Sequence, residues 1–128
     1  MARIKTVLLV TKPGLVRNVT SAGLTLSGYD VLTAAPEEAI ECLRVNRHTA
    51  VVVIDADRPD EDRELARFAR AVNPKIDVVY TSRVPHRAAA TLLPGAPILR
   101  DPYHPHQLAN VIAHLRSRPA EPTDASAA

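Results

Sequence analysis

The chain has 128 residues, 46% of them hydrophobic and 23% charged, with a formal net charge of +2, no tryptophan, one phenylalanine and three tyrosines. This length suits one domain around one aliphatic core, the small positive charge is too weak to argue for nucleic acid, and a lone cysteine, Cys42, excludes an internal disulfide. No stretch of 18 apolar residues is present, and MARIKTVLLVTKPG, broken by Thr11, Lys12 and Pro13, reads as a first strand and not as a secretion signal; a cytoplasmic location with no membrane partner is expected.

In chain order, the apolar run Thr6–Val10 predicts the first strand. A helix follows in which Leu15, Val19, Ala22 and Leu26 share one face, and Gly28 supplies its stop. Val31–Thr33 predicts the second strand. Pro36 opens a second helix marked by Ala39, Ile40 and Leu43, with Glu37 and Glu38 placed where carboxylates favour the helix dipole. Ala50–Ile54 is the third strand, and Leu65, Phe68, Ala69 and Val72 mark a third helix that ends before Asn73-Pro74. Ile76–Tyr80 is the fourth strand, residues 83–93 a weaker alanine-rich helix, Ile98–Leu99 the fifth strand, and Leu108, Val111, Ile112 and Leu115 a fifth helix.

The predicted strands are β-branched and scarcely alternate, as strands covered on both faces do. Five strands alternating with five helices predict an α/β domain with a doubly wound parallel sheet over residues 1–118. The remaining PAEPTDASAA, residues 119–128, holds no large apolar side chain and predicts a disordered tail.

In an open parallel sheet, chemistry collects beyond the carboxyl ends of the strands. Those ends read Thr11-Lys12, Asp55, Thr81-Ser82 and Arg100-Asp101-Pro102. The segment VVVIDADRP, residues 51–59, is the most informative, because a strand buried on both faces has no packing use for a carboxylate such as Asp55 at its end. Asp57 follows two positions on, and Asp60-Glu61-Asp62 is better read as the acidic opening of a helix than as a metal site. His104 and His106 flank Pro105 without helical ligand spacing, and Pro13-Gly14 lacks the rest of a phosphate loop. No catalytic residue, metal or other cofactor is expected.

Five pieces in order, VLLVTKPGLVR, GYDVLTA, VVVIDADRP, VVYTS and GAPILRDPY, resemble the receiver domain of bacterial response regulators over about residues 5–116. The resemblance implies a flavodoxin-like (CheY-like) five-stranded (βα)5 fold, with Asp55 at the phosphoacceptor position and Thr81 at the hydroxyl position. It implies a stand-alone response regulatory domain in two-component or phosphorelay signalling, with a histidine kinase, phosphotransfer or output protein as partner.

The same resemblance implies a degenerate site. The family's acidic pair, which holds magnesium together with the acceptor, falls on Thr11 and Lys12, and its lysine before the proline-aromatic pair falls on Asp101. Its aromatic switch position falls on Ile98. Thr11, Lys12, Asp57, Thr81 and Asp101 are thus vestigial site positions, and a pseudo-receiver that acts by contact without magnesium-dependent phosphorylation is expected. The alternative is a single-domain regulator phosphorylated on Asp55. Lys12 is either a built-in cation beside Asp55 or a solvated side chain. The fourth helix, fifth strand and fifth helix carry Arg83, Arg87, Arg100 and His104, a cationic face expected to meet another signalling protein or a second copy; the competing reading is a solvated face.

Overall fold

Short branched runs give short strands, and because the strands are parallel each return needs a crossover. In the computed structural model, which describes residues 5–56, 58–85 and 95–117, five strands form one sheet in the order β2-β1-β3-β4-β5, all pairs parallel. They are β1 (Thr6–Val10), β2 (Asp30–Ala34), β3 (Val51–Asp55), β4 (Asp77–Ser82) and β5 (Ile98–Arg100). The helices are α1 (Leu15–Leu26), α2 (Ala39–Val45, entered through a 3-10 turn at Pro36–Glu38), α3 (Pro59–Val72) and α4 (Pro105–Ser117). This is the doubly wound, flavodoxin-like order expected from the sequence. The helix expected over 83–93 lies mostly outside the described residues, as does the tail, and α4 is the helix expected as the fifth.

Successive strand residues point to opposite faces, so the sheet carries two cores. Leu8, Val10, Val52, Ile54, Val78 and Tyr80 pack with Ala39 and Leu43 of α2 and Leu65, Ala66 and Ala69 of α3. Val7, Leu9, Val51, Val53 and Val79 pack with Leu24 of α1 and Leu108 and Ile112 of α4.

The helix ends follow the local chemistry. Glu38 turns back so that its Oε1 accepts the Ala35 N–H at 3.0 Å, and Asp62 Oδ2 accepts the Arg58 N–H at 2.9 Å where α3 begins. The acidic run at 60–62 therefore opens a helix, as expected. At the end of α1, the Gly28 N–H donates to Thr25 O at 3.0 Å and the Tyr29 N–H to Leu24 O at 3.2 Å. Gly28 closes this motif at φ 100°, a conformation that a residue with a Cβ rarely adopts.

The apolar spacing of α1 does not mark its inward face. Thr20 and Leu24 are buried, whereas Leu15, Val16, Val19 and Leu26 are 77%, 67%, 49% and 89% exposed. Backbone approach decides the orientation. A Cβ at Gly23 would lie 2.4 Å from Pro105 Cβ, so only the bare glycine lets α1 seat against the start of α4. On the same side Thr20 Oγ1 stands 3.5 Å from the Tyr103 hydroxyl.

Candidate functional site

The ends of β1, β3 and β4 deliver polar side chains to the carboxyl edge of the sheet. Beyond β1, Thr11 is half-buried, its N–H donating to Ala34 O at 3.1 Å, and Lys12 is exposed. β3 ends at a half-buried Asp55, and β4 ends at Thr81 and Ser82, both buried. Asp55 and Thr81 are register partners in the ladder, and Thr81 Oγ1 donates to Asp55 Oδ1 at 3.4 Å. Ser82 Oγ is used locally, accepting the Val84 N–H at 3.0 Å.

Asp55 opens onto a cleft of about 350 Å³ that it shares with Thr11, Lys12, Glu37, Arg58 and Asp62. The sequence reading places Thr11, Lys12 and Asp55 together, and the structure does so. It misses Glu37, Arg58 and Asp62 as members of this cleft, which the openings of α2 and α3 bring in. A cation three residues beyond Asp55, in a connection too short to carry it away, is the signal that could have found Arg58. Asp62 is only 6% exposed, fixed by the Arg58 N–H.

The end of β1 brings a threonine and a lysine, and no carboxylate, to this cleft. Magnesium is held by carboxylate oxygens with near-octahedral geometry. At the ends of β1 and β3, Asp55 is the only carboxylate among the described residues, beside a threonine and a lysine. Among those residues no group of three His, Cys, Asp or Glu side chains is arranged to hold a metal ion. Asp57 lies outside the described residues.

Asp101 faces a different cleft, of about 490 Å³, lined also by Val16, Arg83, Pro102 and Tyr103. Burial pushes the Tyr103 phenol above its ordinary value of 10.0; the hydrogen bond with Thr20 opposes this, and the negative charges of Asp101 and Asp55 add to it. The sequence reading does not single out Tyr103.

Of the expected cationic face, Arg83, Arg100 and His104 are exposed, while Arg87 lies outside the described residues. His104 also serves α4: its Nδ1 accepts the His106 N–H at 3.0 Å, and its own N–H donates to Gln107 Oε1 at 2.7 Å. Ile98, half-buried, lies across the ladder from Tyr80. Among the described residues no helix is long and apolar enough to cross a membrane.

No protein-family model matches the chain, and no curated protein matches it in sequence. Solved structures do. A response regulator receiver protein from Sinorhizobium medicae WSM419 is similar with a TM-score of 0.78 and 27% identity, over 88% of this chain and 94% of that one. A response regulator from Thermotoga maritima gives 0.75 and 20%, over 91% and 100%. The chemotaxis protein CheY4 of Vibrio cholerae gives 0.71 and 18%, over 88% and 99%. The chain is built on the fold of the response-regulator receiver, the CheY-like domain.

Proposed function

We propose that this receiver-type domain takes part in two-component signalling by protein–protein contact and is not switched by magnesium-dependent phosphorylation. The observation that carries the reading is the company of Asp55: a threonine hydroxyl at 3.4 Å, and Thr11 and Lys12 in its cleft. Phosphoryl transfer to a carboxylate depends on positioned cations that neutralise the charge developing on the moving group. Of the two cations that line the cleft, Lys12 is exposed and Arg58 directs its guanidinium to Glu61 at 3.4 Å. The exposed Arg83, Arg100 and His104 offer the surface for an acidic partner, whether a kinase, a phosphotransfer protein or an output protein.

A second reading rests on the same pair of residues. Asp55 faces an open cleft with the Thr81 hydroxyl aimed at it, an arrangement suited to a phosphoacceptor. Intact mass after exposure to a small acyl phosphate with magnesium separates the two. The contact-only reading expects no change. A gain of one phosphate that disappears in Asp55→Asn would replace it with the second reading.

A further inference from the structure

Helix α1 buries Leu24 but carries its other large apolar side chains outward. Leu15, Val16, Val19 and Leu26 are 77%, 67%, 49% and 89% exposed, and Ala22 is exposed between them. Leu15, Val19, Ala22 and Leu26 follow one another at intervals of four, three and four residues. That is the a/d repeat of a helix–helix seam, narrower than the stripe of a helix laid on a sheet. The four large residues expose on the order of 450 Å², the size of the largest apolar patches on monomers, which commonly mark interaction sites. No charge interrupts the patch, since Arg17, the one charged residue of α1, is half-buried with its Nε out of solvent.

We propose that this face pairs two copies of the chain, α1 against α1, antiparallel about a two-fold axis. The inference is independent of how Asp55 is used. The seam is symmetric about its own centre: Leu15 and Leu26 lie equally far from the midpoint between Val19 and Ala22. A two-fold axis there sets Leu15 against Leu26 of the second copy and Val19 against its Ala22, with the small residues at the crossing, where the backbones come closest. A parallel pair would instead place Ala22 on Ala22 and leave a gap.

The helix dipole favours the same arrangement. α1 has no acidic residue in its first turn and no basic residue in its last, so its ends lack local compensation, and an antiparallel neighbour brings opposite ends together. An acidic or basic partner would find no countercharge on this face, whereas a second copy brings an equally neutral one. Two such patches with the polar rim of Asn18 and Thr25 bury roughly 1,000 Å², the low end for a specific interface, so the dimer forms in a concentration-dependent way.

Sedimentation equilibrium of the full chain from the micromolar to the millimolar range tests this. The expected average mass rises from 13.9 kDa toward twice that value, while Val19→Lys and Leu26→Lys stay at the monomer mass with unchanged melting in dilute solution. A wild type that stays monomeric throughout leaves the stripe to a different protein and overturns the proposal, as do lysine variants that dimerise like the wild type. Orientation is read by oxidative cross-linking in a Cys42→Ser background. Leu15→Cys mixed with Leu26→Cys should cross-link, and Leu15→Cys alone should not; the reverse result overturns the antiparallel assignment.

Discussion

Arg116, in the last turn of α4, sets its Nη1 2.8 Å from Asp77 Oδ2 at the start of β4 and 3.4 Å from the Ala50 carbonyl ahead of β3. The Arg116 and Asp77 side chains are 28% and 14% exposed, which places the ion pair in a region where water screens it weakly. It fastens α4 to the amino edge of the sheet, opposite Asp55. Arg116→Ala strips a mostly buried carboxylate of its cation and should lower stability by about 1–3 kcal/mol. Thermal unfolding of both single variants and of Arg116→Ala with Asp77→Ala checks this, the double variant losing less than the sum of the singles.

Gly23→Ala should destabilise the fold although the substitution normally favours a helix interior. The propensity gain is about 1 kcal/mol, and the clash with Pro105 at 2.4 Å outweighs it, because α1 has to move off α4. A net loss of about 1–2 kcal/mol in urea unfolding is expected. A variant as stable as wild type would show that the two helices are not held by this contact.

Tyr103 gives the stability a pH dependence of defined sign. Its phenol is raised above 10.0 in the folded state, so the folded chain holds this proton more tightly than the unfolded chain. The resulting stability is fully present below the unfolded value and is lost as pH rises through the raised folded value. Tyr103→Phe should therefore lose less stability than wild type between neutral pH and about pH 11. Melting temperatures of the two proteins across that range make the comparison, and parallel curves would contradict the assignment.

Millimolar magnesium should leave the amide signals of Thr11, Asp55 and Ala56 in place, because the carboxylates a magnesium site needs are absent from the end of β1. Thr11→Asp with Lys12→Asp should gain a saturable magnesium response at the same amides. Saturable shifts in the wild-type protein would count against the contact-only reading.

The strands were legible because branched apolar runs admit few alternatives. β1 lies where the sequence places it, and β2 and β5 gain only the polar or small ends Asp30, Ala34 and Arg100. Asp55 and Thr81 could be brought together from the sequence because a parallel order puts strand ends side by side. The direction of α1 was not legible. Hydrophobicity ranks Leu15 above Thr20, but packing here is decided by where a backbone can come close, and that depends on Pro105, 82 positions from Gly23. Glu37, Arg58 and Asp62 escaped for a related reason: they enter the cleft from the starts of helices, where side-chain direction follows capping and not periodicity.

The aliphatic core leaves the molecule a built-in optical probe. With no tryptophan, near-ultraviolet emission belongs to three tyrosines, of which Tyr80 is sealed in one core and Tyr29 sits half-buried against the other. Tyr103 lines the cleft of Asp101. Its half-buried phenol lies where α1, β5 and α4 meet, so part of the tyrosine signal reports on that cleft without a label.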